Sequence, residues 1–120
     1  MWQNCHIVII TFERNYTDML NSVILIGKII NKPTISETST GKKVANIQLK
    51  VTRNFTNTYG KKENDIINCT LWSVLAENAL ELYRKDNLVA IKGRLQSRDY
   101  TIENKTIIAH EVIAERITYL

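Results

Sequence analysis

An all-β barrel of five short strands with one helix between the third and fourth is the fold class this sequence predicts, on three observations. Its 120 residues are 44% hydrophobic and 23% charged, a globular mixture that fits one domain able to bury its own core. From residue 19 onward, apolar side chains recur at every second position or in short β-branched runs, as strands require. Only one stretch, near residue 80, changes to helical spacing.

Val23–Ile30 is almost continuously apolar and too short to favour a helix. Asn31-Lys32-Pro33 ends it, because proline brings no amide hydrogen to a ladder. After a polar loop at Ser36–Gly41, the run Val44–Arg53 alternates Ala45, Ile47, Leu49 and Val51 with Asn46, Gln48, Lys50 and Thr52, the pattern of a half-buried strand. The loop Thr56–Asn64 leads to a third run, Asp65–Ser73. Leu75–Lys85 then sets Ala76, Ala79, Leu80 and Tyr83 on one helix face. Ser73 is its expected N-cap, Arg84 and Lys85 suit the C-terminal dipole, and Asn87 is the expected left-handed stop. Leu88–Ser97 is the fourth strand, and Thr106–Tyr119 the fifth, bent near Ala114. Three strands before the helix and two after it are the order of the five-stranded Greek-key barrel called the OB-fold.

The barrel accounts for residues 19–120. Residues 1–18 fit no part of it: either they add a strand through Ile7–Phe12, or they are a disordered extension or start-site artefact, with Met19 a natural initiator. They contribute a charge of −1 to the net +4, so the remainder carries +5 and every lysine. A basic small domain suits an anionic partner such as nucleic acid, although a merely soluble surface would look the same by charge alone.

Several function classes fall away. Cys5 and Cys69 with His6 and His110 are too few for a zinc cluster or a disulfide framework, so no metal or cofactor is expected and a reducing compartment suffices. No apolar run approaches the roughly 18 residues of a membrane span, and Ile7–Ile10 lacks the flanks of a signal peptide. Hydrolase triads, phosphate-cradling glycine loops and HExxH are all missing, which argues against an enzyme. Cys69 reads as an inert core thiol and His110, beside Glu111, as a satisfied structural histidine. Glu63 and Asp65, near Lys61 and Lys62, read as solubilising charges at a hairpin end.

Strand alternation then sorts the polar side chains. In the third run Ile67, Cys69 and Leu71 share the apolar face, while Ile66, Asn68, Thr70 and Trp72 share the other. In the fourth, Val89, Ile91, Gly93 and Leu95 oppose Ala90, Lys92, Arg94, Gln96, Arg98 and Tyr100. The second strand adds Lys50 to its polar face, and Phe55 lies just past its end. Aromatic rings among cations are what a single strand of nucleic acid needs: π faces for bases and charge for phosphates.

Five segments occur in register: Asn21–Lys28, Val44–Ile47, Ile67–Trp72, Ala76–Asn78 and Lys92–Arg98. Over Met19–Leu120 the chain resembles the bacterial single-stranded DNA-binding proteins. That resemblance implies a homotetramer, a dimer of dimers, that binds and protects single-stranded DNA without sequence preference in replication, repair or recombination. It carries the stacking role onto Phe55, Trp72 and Tyr100. It carries phosphate contact onto Lys50, Lys61, Lys62, Arg84, Lys85, Lys92, Arg94 and Arg98, of which Lys92, Arg94 and Arg98 also satisfy the face assignment. It further implies that the first strand pairs across a dimer, with Val23, Ile24, Leu25 and Ile26 at the interface; the two-sided apolarity of that strand agrees. The chain departs from the family's pattern at Ile66, where an aromatic is usual, and at Asp99, where some members are basic. It also stops at Leu120, so no acidic C-terminal tail is expected to recruit replication or repair enzymes. The implied location is the cytoplasm, in association with the nucleoid. From a different class, a primosome-type relative using the barrel mainly for protein docking in replication restart is the competing expectation.

Overall fold

The alternating run of the second predicted strand becomes the spine of a closed barrel. The computed structural model describes residues 19–120, and the strand considered for Ile7–Phe12 lies outside the described residues. The elements are β1 (Val23–Ile29), β2 (Thr34–Glu37), β3 (Lys43–Thr56), β4 (Lys62–Trp72), α1 (Val74–Leu82), β5 (Leu88–Ile102) and β6 (Lys105–Tyr119). The sheet runs β1-β5-β6-β4-β3-β2, and a further pairing of β1 with β3 closes five strands into a ring. One contact is parallel, where Cys69 and Thr70 of β4 meet Val112 and Ile113 of β6.

Alternation supplies the filling. Ile29, Ala45, Ile47, Leu49, Cys69, Leu71, Val89, Ile91 and Val112 face inward, none more than 3% exposed. Helix α1 presses Ala76 and Ala79, both fully buried, against this core, and alanines allow that close approach. Lys43 at the head of β3 pins the helix through a 2.9 Å ion pair with Glu77.

Five local expectations change. Thr34–Glu37 is a strand that was not expected and that takes in the start of the polar loop placed at Ser36–Gly41, because β1 and β2 take successive lengths of one edge of β3. Buried Pro33 breaks the chain between them, and the Asn31 side chain accepts the Gln48 amide hydrogen at 2.7 Å in place of a ladder bond. Ser73 makes no side-chain cap; its backbone is at φ 55°, and its own N–H is tied to the Lys43 carbonyl at 2.8 Å. The helix ends at Leu82, three residues early, since Tyr83 turns to extended backbone and packs against the core. Arg84 then donates to the carbonyls of Glu81 and Tyr83, and the left-handed residue is Asp86 (φ 66°) rather than Asn87. Leu80, assigned to the buried helix face, is 47% exposed.

Closure demands glycine at two strand positions. A Cβ at Gly27 would run into the Lys50 carbonyl oxygen, and one at Gly93 into the Ile113 carbonyl oxygen. At the second site β6 bulges, because Lys92 pairs with Arg116 while Gly93 pairs with Ala114, leaving Glu115 as the extra residue. That bulge is the bend expected near Ala114. Beyond the barrel the distal parts of β5 and β6 form an exposed arm, turned by Glu103 (φ 51°) and Asn104 (φ 63°) in the left-handed pair that a tight two-residue hairpin uses.

Candidate nucleic-acid interface

The side chains that alternate away from the core make the outer wall of the barrel. On β3 and β4 they stand in cross-strand rows: Asn46 opposite Thr70, Gln48 opposite Asn68, and Lys50 opposite Ile66. The Gln48 amide comes within 3.5 Å of Asn68 Oδ1. The β5–β6 arm rises beside these rows and leaves a cleft of about 470 Å3. Asn31, Asn46, Gln48 and Asn68 line one side, and Arg98, Tyr100 and His110 the other. Amide groups offer both donors and acceptors, so such a cleft can hydrogen-bond any base edge.

Arg98 is not a free cation. Its Nη2 stands 2.9 Å from Glu111 Oε1 at the cleft wall. The other carboxylate oxygen, Oε2, accepts from Thr70 Oγ1 at 2.6 Å, and Thr70 is 3% exposed. Glu111 is therefore held in place from behind, and its charge is spent on the arginine in front.

The aromatics occupy three places on the wall. Tyr100 lies in the cleft, 45% exposed. Trp72 stands farther along β4, half-buried and opposite Val44. Phe55, 66% exposed, sits on the β3–β4 hairpin within an irregularity between Thr52 and Thr56. Ile66 is exposed on the same face.

The hairpin carrying Phe55 is braced by charge. Arg53 donates to both Asp65 oxygens and to Glu63 Oε2 at 2.6 Å. Glu63 and Asp65 thus serve a structural ion cluster rather than solubility. The hydrogen-bonded guanidinium holds the Asp65 carboxyl below the usual carboxylate range. This brace is intact above pH ~4 and is lost only as pH falls through the depressed value. At the tip, Asn57 Oδ1 accepts from the amides of Tyr59 and Lys61, which leaves the Tyr59 ring exposed.

The remaining cations scatter. Lys61 and Lys62 lie at this hairpin, while Arg84 and Lys85 follow α1, with the Arg84 guanidinium turned onto backbone carbonyls. Arg94 donates to Gln96 at 2.7 Å. Lys92 stands opposite both Ile24 of β1 and Arg116 of β6, and lies 3.8 Å from Glu115, so it belongs to a different stretch of wall from Arg98. On that stretch Ile24 and Ile26 are 72% and 57% exposed, whereas Val23 and Leu25 pack toward the core.

His110, expected to be structural, is exposed in the cleft. Alternation gave no signal for it, since Ile108, Val112 and Ala114 share its parity on β6, and none for Tyr59, which lies in a loop. Cys69 is buried, and desolvation pushes its thiol up to about 11, which makes it a poor nucleophile at neutral pH. Among the described residues no three His, Cys, Asp or Glu gather to hold a metal ion, and no helix is long and apolar enough to cross a membrane.

A closed five-strand ring with one helix against its core and a polar cleft on its outer wall places this molecule in the OB-fold class. The single-strand binding protein family model matches residues 20–120, and the chain belongs to that family. The single-stranded DNA-binding protein of Halalkalibacterium halodurans is 39% identical over 103 residues, covering 85% of this chain and 61% of that protein. Single-stranded DNA-binding protein B of Bacillus subtilis is 38% identical over 103 residues, covering 85% of this chain and 91% of its own. Among solved structures, a deletion mutant of the single-stranded DNA binding protein from Thermus aquaticus superposes with a TM-score of 0.69 at 27% identity, over 84% of this chain and 50% of that one. The chain thus spans about three fifths of the Halalkalibacterium relative and nearly all of the Bacillus protein B.

Proposed function

We propose that this protein binds single-stranded DNA without sequence preference and protects it during replication, repair or recombination, with no catalytic step. The observation that carries this reading is the outer wall. Phe55 and Tyr100 are exposed and Trp72 is half-exposed, among amides and cations and away from the core that would otherwise bury such rings. Each ring offers a stacking face worth about 1–3 kcal/mol per base, and Tyr59 extends the series along the hairpin. The names of its relatives support the same partner. The exposed Ile24 and Ile26 strip supports assembly with further copies of the chain into a homo-oligomer, a tetramer by the family's pattern.

Titration with poly-dT, followed by tryptophan fluorescence beside light scattering, tests the reading. Quenching that saturates on the single strand, with much weaker binding of a duplex of equal length, is the expected result. Equal affinity for both would reduce the interaction to general polyanion binding.

The Arg98–Glu111 pair adds a second expectation. Phosphate competes with a carboxylate 2.9 Å from the guanidinium, so Glu111→Gln, which keeps an acceptor for Thr70, should raise affinity severalfold at low salt. The gain should vanish in an Arg98→Gln background. A gain that survives there would mean that Glu111 repels DNA generally and does not occupy Arg98.

A further inference from the structure

Where β1 closes the barrel onto β3, Lys28 lies directly opposite Lys50. The row continues on both sides, with Leu88 of β5 opposite Lys28 and Ile66 of β4 opposite Lys50. Both lysines are exposed, and a shallow groove joins them to Ile26, Gly27, Thr52 and Leu88. The next same-face positions are Ile26 on β1, with Ile30 just past its end, and Gln48 and Thr52 on β3. No acid stands in the row or along these strands, and no ion pair involving either lysine occurs among the described residues. Lys62, Arg94, Lys105 and Arg116 likewise make no ion pair among the described residues, but the other directly opposed pair of cations, Lys92 and Arg116, has Glu115 3.8 Å from Lys92, whereas Lys28 and Lys50 have no carboxylate between them.

Directly opposed side chains in an antiparallel pair have Cβ atoms about 5 Å apart, and like charges there are destabilising. Two exposed ammonium groups placed side by side with no carboxylate between them favour an anion that can bridge them. Gly27 reinforces the geometry, since the Lys50 backbone approaches so closely that no side chain fits between the strands. The two long stems can converge on one phosphate, each ammonium donating to its oxygens.

We infer that Lys28 and Lys50 form a phosphate-binding clamp at the barrel seam, and that it holds one phosphodiester of the bound strand. The clamp rests on the proposed function for its ligand. Its position adds a direction, because Lys50 stands beside Ile66 and one pleat from Gln48 and Thr52. The clamp therefore lies on the rim of the β3–β4 wall that offers its amides to bases. A strand leaving the cleft along β3 passes onto the seam, and the backbone is gripped where base contacts end. Ile66, which cannot stack a base as an aromatic would, sits in the same row. Charge at the seam takes over there.

The test uses Lys28→Gln, Lys50→Gln and the double variant, all of which keep most of the aliphatic stem. Affinity for poly-dT is measured from low to moderate salt. The double variant should lose about 0.7 from the log–log salt slope, the value for one phosphate contact on a single strand. A loss near twice that would mean two separate contacts and overturn the shared clamp; an unchanged slope would overturn the site. In parallel, melting is followed without DNA. Each single variant should melt higher than the unsubstituted protein at low salt, and the gain should disappear at high salt. Inorganic pyrophosphate should raise the melting temperature of the unsubstituted protein and leave the double variant unmoved. If poly-dT fails to bind but pyrophosphate stabilises in a lysine-dependent way, the anion site stands and the single-strand reading falls. If a carboxylate of a second copy covers the lysines instead, the double variant changes the oligomeric state and not the salt slope, which also overturns the clamp.

Discussion

Trp72→Ala lowers affinity for poly-dT by roughly five- to a hundredfold, the range that loss of one stacking platform of 1–3 kcal/mol produces. The loss is nearly independent of salt, because no phosphate contact is removed. Trp72 is suited to this role by its position: Leu71 before it is fully buried, while Trp72 alternates to the outer wall and keeps a half-open face. Trp72→Phe separates stacking from signal. It preserves a π face and hence most of the affinity, but removes most of the fluorescence quenching, since Trp2 is the other tryptophan of the chain. Quenching that persists in Trp72→Phe would place the DNA path away from β4.

Gly93→Val produces a large loss of stability. The new Cβ would collide with the Ile113 carbonyl oxygen and stand 3.1 Å from the Ala114 Cα. Both obstacles are backbone at the β6 bulge, so no side-chain rotation relieves them. Overpacking of this kind costs about 1–3 kcal/mol, or a fall in melting temperature on the order of 5–20 °C for a domain of this size. Gly60→Ala is the control. Its φ of 76° strains an added side chain, but nothing lies within 4 Å, so the cost should stay near 1–2 kcal/mol. Both proteins are compared at equal protomer concentration, because assembly would shift melting by mass action. Equal melting of Gly93→Val and the unsubstituted protein would show that the bulge can move aside.

The two predictions draw on different levels of information. That Trp72 lies outside the core and Cys69 inside it was legible from alternation along one strand. That Gly93 admits no side chain was not, because Ile113 and Ala114 approach it from a strand about twenty residues away in sequence. The same division runs through the site. Trp72 and Tyr100 were readable as outward aromatics, and Asn46, Gln48 and Lys50 as outward polar residues, whereas Phe55, past the end of the alternating run, was singled out by the family resemblance. Tyr59 and the brace of Arg53 with Glu63 and Asp65 were not, since a hairpin loop has no period to read. Strand β2 was missed for a related reason. It is only four residues long with a single apolar side chain, Ile35, and it becomes a strand because the break at Pro33 leaves part of the β3 edge open to it.

By itself, the sequence determined the count of barrel strands, the helix between them and the inward side of the second, third and fourth predicted strands for most of their residues, with Leu95 (44% exposed) and Thr70 (3%) as exceptions. Each follows from a local regularity, period 2 or period 3.6, which hydrophobic burial enforces wherever one face meets water. Tertiary structure alone decided where around the barrel each outward residue stands. Lys92 and Arg98 share a parity, yet one faces Ile24 and Arg116 while the other enters a cleft with Gln48 and Asn68. Lys28 and Lys50 share no local pattern, yet closure sets them face to face. Alternation reports only in or out; position on the circumference depends on register, bulges and ring closure, which are settled by contacts between residues far apart in the chain.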